Sequence, residues 1–518
     1  MDSNNYKAAV GIENKKPAIL LKSIIIGIAA GLFITLYRFA LNLAEQLCVA
    51  AHSYAGRHPH MLPLWIAILA LLGLATGFMV SRNDMITGSG IPQVKGIMAG
   101  YFKDSWLKTL LMKFAGGALA VGSGLSLGRE GPSVQMGACI AEGIGGKAGS
   151  SKFEKKVLMA SGAGAGLSAA FGAPLAGAVF ALEEIFKYFS PVILLSTMVS
   201  AVSAQFAAAL FFPEPVFNFA VTAKVPFDKY WIIALMALFL GFAGAFYNLV
   251  LVNVQKWYKK RKWLNAKTRP VIPFVCAGII GITFPAALCS GHLIMDKLAL
   301  SAGFAFLLTL LAVKFCFSVI SFASGAPGGI FFPLLVTGAS IGAVFGAAAV
   351  GFLGLPAELF YNFVILAMAG FFTAIVRAPI TGIILLVEMT GSFSELLPIA
   401  IVTVTAFFVA DVLKSPPVYD SLLYNMAISK KMEKFKGDPD GKTTIEVLAC
   451  HGCEADGKML KELKFPKNCL LISVKRNGRD FIPDGQTEIT ANDYLVFITS
   501  LKSETRVRRR LNRLIMRK

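Results

Sequence analysis

VGSGLSLGREGPSVQMGACI, residues 121–140, is the stretch from which the chain is best read. It places a carboxylate, Glu130, and a guanidinium, Arg129, in the middle of a long apolar region. Gly128 and Gly131 bracket them, and Pro132 is placed to open a helix. Moving an unpaired charge into hydrocarbon costs on the order of several kcal/mol. An ionisable residue in such a context therefore marks a functional site, and the surrounding sequence is where its partners must lie.

The composition supports a membrane context. The chain has 518 residues, 56% hydrophobic and 15% charged, with a mean hydropathy of +0.66. Soluble domains carry about 25% charged residues. Apolar runs recur from Ile19 to Val412, as in a polytopic protein of a cell (inner or plasma) membrane. The first run starts near Pro17 and passes Leu36 without a small-residue cleavage site, so it reads as a span and not as a signal peptide. A net charge of +20 raises nucleic acid as a partner. The basic residues argue otherwise. They sit in short segments between apolar runs, namely Lys15-Lys16, KAGSSKFEKK (147–156), KWYKKRKWLNAKTR (256–269) and the tail RVRRRLNRL (506–514). That is the pattern of cytoplasmic loops facing anionic headgroups, and no nucleic-acid partner is expected. Of the eight cysteines, Cys48, Cys139, Cys276, Cys289 and Cys316 lie in apolar context. Cys450-His451-Gly452-Cys453 has C-x-x-C spacing, but only Cys469 follows it, so neither a metal nor a cofactor is expected.

Four regions follow from the pattern: a polar, basic cytoplasmic arm (1–16), a membrane transport domain (17–428), a polar linker (429–442) and a small C-terminal domain with a basic tail (443–518). Within the second, apolar runs lie near 17–37, 63–81, 191–213, 230–255, 271–288, 303–322, 362–390 and 396–414, with a Gly/Ala-rich run after Pro333. Its two halves resemble each other. Gly128-x2-Gly131-Pro132-x4-Gly137 aligns with Gly329-x3-Pro333-x4-Gly338 at an offset of 201, and Ala173-Pro174-x2-Gly177-x5-Glu183 aligns with Ala378-Pro379-x2-Gly382-x5-Glu388 at an offset of 205. Two motifs repeated in order indicate a duplication. In transporters such repeats are often inverted, with the site on broken helices at their interface. In the last region TTIEVLA (443–449), CLLISVKRNG (469–478) and DYLVFIT (493–499) read as strands, with Asn477-Gly478 as a hairpin turn.

Three segments share one plan: Gly88-Ser89-Gly90-Ile91-Pro92, Gly128-Arg129-Glu130-Gly131-Pro132 and Gly329-Ile330-Phe331-Phe332-Pro333. Each is a glycine-bearing turn, then a proline, then an apolar run, which predicts an exposed helix N-terminus. Free amides and the positive end of the helix dipole attract anions there. Three such ends converging would hold an anion without a full positive charge, so that it can also leave. The Ser89 hydroxyl and the Gly131, Ile330 and Phe331 amides are the natural donors. Glu130 can imitate the anion when charged and swing away when protonated; the simpler account is that it pairs with Arg129 and locks the fold. Glu184 is the second candidate proton carrier, against the plainer reading of a helix-end carboxylate at the aqueous boundary. The doublet Glu183-Glu184 leaves the assignment between them open. Tyr419 can donate a phenolic hydrogen bond to an anion, or serve as an interfacial tyrosine. Lys113 reads as a buried counter-charge.

GSGIP (88–92), GREGP (128–132), APLAG with the glutamate doublet (173–184), SGAPGGIFFP (324–333) and PPVYDSLL (416–423) together resemble the CLC chloride channel/transporter family over about residues 17–425. The resemblance implies an all-α polytopic fold of two inverted repeats of broken helices, with an anion pathway in each subunit of a homodimer. It implies that the Ser89 and Tyr419 hydroxyls and the Ile330 and Phe331 amides coordinate a central chloride. It implies that Glu130 is the external gating glutamate and Glu184 the internal proton-transfer glutamate of exchangers. The expected function is proton-coupled chloride exchange across the bilayer, with a passive voltage- or pH-gated chloride channel of the same fold as the alternative. Ser89 matches members that prefer chloride. Gly172 departs from the family, in which Asn commonly precedes Ala-Pro, and packing is where the change should be felt. A membrane-embedded acid/base enzyme built on Glu130 and Glu184 is a further alternative, but no metal cluster, nucleophile triad or phosphate loop supports it. The C-terminal region lacks the paired CBS domains of eukaryotic members. It resembles an RCK-C (TrkA-C) domain instead, which implies a small α+β cytoplasmic module that senses a small-molecule ligand or strengthens the dimer.

Overall fold

The computed structural model describes residues 16–187, 189–213, 223–261, 263–295, 297–391, 393–437, 442–449, 453–466, 469–476, 479–491, 493–500, 503, 507, 510–511 and 514–515. They divide into two compact units at Tyr424/Asn425. The larger is all-helical: α1 Lys16–Arg57, α2 Leu62–Arg82, α3 Ile91–Met98, α4 Trp106–Gly122, α5 Glu130–Lys147, α6 Lys152–Phe171, α7 Pro174–Phe180, α8 Pro191–Ala209, α9 Tyr230–Lys260, α10 Val271–Thr283, α11 His292–Met295, α12 Phe304–Ala323, α13 Phe331–Leu353, α14 Phe360–Val376, α15 Pro379–Thr390, α16 Leu396–Val412 and the start of α17 Val418–Gly437. Seven helices among the described residues are long and apolar enough to cross a membrane. Their outward positions carry large apolar residues such as Leu71, Phe206, Phe242 and Phe408, all exposed, as a lipid-facing surface requires.

Hydropathy alone misjudges several of these pieces. The run 362–390 is two helices, α14 and α15, interrupted at Arg377 and Ala378. Arg377 takes a left-handed conformation (φ 69°) that ends α14, and Pro379 opens the next helix. The run 271–288 is a helix of 13 residues followed by a short turn. The segment 429–442, expected to be a linker, is helical through Gly437; residues 438–441 and the N-terminal arm up to residue 15 lie outside the described residues. Lys, Met, Glu and Phe are adequate helix formers, so polarity there did not signal a break.

The duplication is visible in the backbone. Left-handed residues occur in pairs at the offsets read from the motifs: Gly88 and Cys289, Gly90 and Gly291, Gly124 and Gly325 at 201, and Gly172 and Arg377 at 205. Gly128 and Gly329 form an antiparallel bridge, each amide donating to the other's carbonyl at 2.7 Å. Equivalent residues paired head to tail are what two inverted repeats produce about their common axis. The glutamates of the second motif are exchanged between repeats. Glu388 accepts from the Leu175 and Ala176 amides at the start of α7 (3.0 and 2.8 Å), and Glu183 accepts from the Ile380 and Thr381 amides at the start of α15 (3.2 and 2.8 Å).

Small residues let the helices around the site pack backbone to backbone. A Cβ added at Gly162 on α6 would lie 2.3 Å from the Gly137 carbonyl oxygen of α5, and one at Gly166 would lie 2.1 Å from that of Ser133. In the second unit, β1 Lys442–Leu448, β2 Cys469–Arg476, β3 Arg479–Phe481 and β4 Tyr494–Ser500 form an antiparallel sheet in the order β1-β4-β2-β3. Ile445, Val474, Leu495 and Phe497 pack there with Val507, Leu511 and Ile515 of the basic tail. The turn expected at Asn477-Gly478 and the Cys450-His451-Gly452 part of the C-x-x-C lie outside the described residues.

The α5–α6 contact leaves no room for a side chain. Gly162→Leu should destabilise the protein by at least about 2 kcal/mol, as overpacking does, read as a lowered midpoint of thermal unfolding in detergent. An unchanged midpoint would mean that these helices do not pack this closely.

Candidate functional site

The three glycine-proline breaks meet. Gly88 and Gly328 are hydrogen-bonded (3.0 Å), and the Gly128–Gly329 pair joins the second break to the third. A Cβ at Gly131 would lie 2.7 Å from that of Ser89, so only glycine lets the first and second breaks touch. Gly90, with φ 93°, caps α3 in a conformation that other residues rarely adopt. Lys113 braces the arrangement. Its ammonium donates to the Ile86 and Gly88 carbonyls at 2.9 and 2.6 Å, so it ties down the Ser89 turn and does not oppose a carboxylate. The equivalent residue of the second repeat, unremarked in the sequence, is Lys314 (314 − 113 = 201), which donates to the Ala287 and Cys289 carbonyls at 3.3 and 3.1 Å. Applying the motif offset to Lys113 would have found it.

Ser89, Glu130, Ile330, Phe331 and Tyr419 are all buried. The Gly131, Ile330 and Phe331 amides have no backbone acceptor among the described residues. The Tyr419 hydroxyl also lacks a hydrogen-bond partner there, while its electrostatic neighbours include both Glu184 and Glu130. Phe331 packs against Phe171, Phe180 and Phe372, which hold the start of α13 in place.

Glu130 does not form a close ion pair with Arg129, since Nε and Oε1 are 4.0 Å apart and neither carboxylate oxygen makes a well-aligned hydrogen bond. The carboxylate instead lies against the amides of Glu130 itself and of Phe332, the second residue of α13, and folds back to within 2.3 Å of where a Gly128 Cβ would be. A negative group thus rests where the amides of two helix starts are directed.

The doublet separates. Glu183 caps the other repeat. Glu184 lies on a π-helical turn, Ala181–Phe186, and points into the protein with 2% exposure. Its Oε1 accepts from the Lys95 ammonium at 2.6 Å; Lys95 also pairs with Asp420, and Asp420 with Lys187. Charges alternate along this row while side-chain exposure rises from 3% at Glu184 and 6% at Lys95 to 36% at Asp420 and 46% at Lys187. Glu184 is therefore buried and paired, unlike an ordinary boundary carboxylate. Asp420 lies within the quoted PPVYDSLL, but nothing local disclosed its pairing with Lys95, which it meets across 325 residues.

Residues 435–512 match the model of the TrkA-C domain. The chain is 34% identical over 438 residues to the "H(+)/Cl(-) exchange transporter ClcA" of Vibrio vulnificus strain YJ016, covering 80% of this chain and 91% of that protein. It is 30% identical over 429 residues to the protein of the same name from Klebsiella pneumoniae strain 342, covering 80% and 90%. Among solved structures it resembles a slow cyanobacterial Cl-/H+ antiporter with a TM-score of 0.75 at 26% identity, covering 80% of this chain and 99% of that one. Residues 72–411, more than half of the chain, match the model described as voltage gated chloride channel, and the chain belongs to that family, the CLC proteins.

Proposed function

We propose that this protein is a proton-coupled chloride antiporter. The observation that carries the reading is the convergence of helix starts from separate broken helices, whose Gly131, Ile330 and Phe331 amides have no backbone acceptor among the described residues, with the Glu130 carboxylate lying beside them against the amide of Phe332. Chloride takes the Ser89 hydroxyl, the Ile330 and Phe331 amides and the Tyr419 hydroxyl as donors, with the Gly131 amide at the rim. Partial charges suit a permeant ion, because they hold it without trapping it.

Glu130 competes for that place. Charged, its carboxylate sits on the Phe332 amide and closes the path. Once Oε accepts a proton, the neutral acid no longer gains from the helix dipoles, and an anion replaces it. Glu184 supplies or takes the proton from the opposite side by a separate route. The Lys95 ammonium pairs with it, and the row through Asp420 to Lys187 leads to water. A passive channel has no use for a second buried carboxylate held in this way, so exchange is the better reading. The subunit acts within a homodimer in the cell membrane. The C-terminal domain lies on the cytoplasmic side, where the basic loops face, and binds a small regulatory ligand.

The assignments are separable in reconstituted liposomes by measuring proton movement driven by a chloride gradient. Glu130→Gln and Glu184→Gln should each abolish proton coupling, with Glu184→Gln still passing chloride; Glu183→Gln should stay coupled. Coupled pumping by the first two variants would remove both carboxylates from the mechanism. Insensitivity of the wild-type reversal potential to a pH gradient would establish the channel instead. Tyr419→Phe removes one donor to the anion, about 1 kcal/mol, and should weaken chloride binding roughly fivefold by calorimetry. Unaltered affinity would place the anion away from Tyr419.

A further inference from the structure

The second repeat contains its own copy of the Ser89 turn. The offset of 201 carries Gly88-Ser89-Gly90 to Cys289-Ser290-Gly291, and the backbone follows: φ is 60° and 55° at the first position, 93° and 110° at the third. The copies differ at the first position. Where the first repeat has glycine, the second holds a cysteine in the left-handed region. A residue kept in such a conformation points to a use for its side chain.

That side chain meets another thiol. Cys48 of α1 and Cys289 are hydrogen-bonded through their thiols, and both are buried, at 2% and 4% exposure. Gly124 makes the room: its carbonyl accepts from the Cys289 amide at 2.9 Å, and a Cβ there would lie 3.3 Å from Cys48 Sγ. His52, one turn beyond Cys48, brings Nδ1 to 3.4 Å from the same sulfur and to 2.8 Å from the Cys48 carbonyl oxygen. An imidazole N–H beside a thiol favours the thiolate, its reactive form. Among the described residues no group of three His, Cys, Asp or Glu side chains is placed to hold a metal ion, so the two thiols are set to react with each other. Cys289 also lines a cavity of about 870 Å³, which has room for a small polar oxidant. Cys48 follows Lys16 by 32 residues (48 − 16 = 32), about 48 Å of helix against roughly 30 Å of hydrocarbon. With the arm before α1 in the cytoplasm, the pair lies toward the opposite face of the membrane, where disulfides persist.

We propose that Cys48 and Cys289 are a peroxide-sensitive thiol pair that closes to a reversible disulfide and so slows transport. Cys289, on the cavity wall, attacks one oxygen of hydrogen peroxide. The O–O bond breaks, leaving a sulfenic acid on Cys289 and one water. Cys48 Sγ then attacks Cys289 Sγ. The S–S bond forms, the S–O bond breaks, and the departing hydroxide leaves with the Cys48 proton as a second water. The peroxide is reduced and the two thiols are oxidised; an external thiol reopens the bond by exchange. The link to transport is short. His292, three residues beyond Cys289, packs on Phe332 with ring centroids 4.4 Å apart, and the Glu130 carboxylate lies against the Phe332 amide. Pinning the Ser290 turn to α1 restrains the segment on which the start of α13 rests. Formation of the bond is independent of the transport reading; only its effect on flux rests on that reading.

The whole protein in liposomes, treated with hydrogen peroxide and then alkylated in denaturant, tests this. Mass spectrometry of a digest should show the Cys48 and Cys289 peptides linked, and dithiothreitol should return both as alkylated thiols. Chloride flux should fall in proportion to the linked fraction and recover on reduction. Cys48→Ser should form no link and keep its flux under peroxide. Both cysteines still alkylated after peroxide, or each oxidised singly without a link, would overturn the proposal and spare the transport reading. A link with unchanged flux, or a fall in flux shared by Cys48→Ser, would overturn the control of transport by this pair. A linked pair in a protein that passes no chloride in either redox state would overturn the transport reading instead.

Discussion

A backbone that leaves the helix inside a bilayer frees amides and carbonyls that water cannot reach, and each one left unpaired is worth several kcal/mol, on the order of a whole hydrogen bond. The structure meets this constraint by setting its breaks against one another. Gly128 and Gly329 satisfy each other across the repeat axis, Gly88 pairs with Gly328, and the carbonyls of the Ser89 and Ser290 turns take Lys113 and Lys314. The Gly131, Ile330 and Phe331 amides, at the starts of α5 and α13, are left without a backbone acceptor among the described residues. The proposed anion place is built on these amides and not on a lysine or arginine at its centre.

The same economy decides the fates of two adjacent glutamates. Neighbouring residues on a helix point roughly 100° apart. Glu183 consequently faces the other repeat, where two amides receive it, and Glu184 faces inward, where Lys95 does. A carboxylate that accepts backbone hydrogen bonds is fixed in the fold. One paired to a single flexible ammonium, in a row of alternating charge that reaches solvent, is free to change partner. Adjacent, chemically identical side chains thus meet different kinds of partner on the two sides of one turn.

Much of this was legible in the chain. Glycine-proline punctuation inside apolar runs located the breaks, because few other residues tolerate those conformations, and the offsets of 201 and 205 disclosed the duplication. Ser89, Glu130, Ile330 and Phe331 carry local marks of this kind, and all of them, like Tyr419, are buried. Residues whose importance is set by tertiary contact alone were not legible. Asp420 lies within PPVYDSLL and Lys95 just after GSGIP, but neither motif discloses their pairing, which forms only when α3 approaches α17. Cys48 and Cys289 read only as separate cysteines in apolar context. Hydropathy also blurred element boundaries: it merged α14 with α15, whose junction is a left-handed Arg377 and not a glycine, and it took the polar end of α17 for a linker.

The crossed caps have a consequence for how the molecule is made. The helix that begins at Pro174 is finished by a carboxylate synthesised more than two hundred residues later, and the one beginning at Pro379 depends on a carboxylate made long before it. Neither half can close its own polar ends in the lipid. While the ribosome is still translating the second half, the first half waits in the bilayer with bare helix starts, and the nascent chain becomes a finished protein only when its two halves clasp.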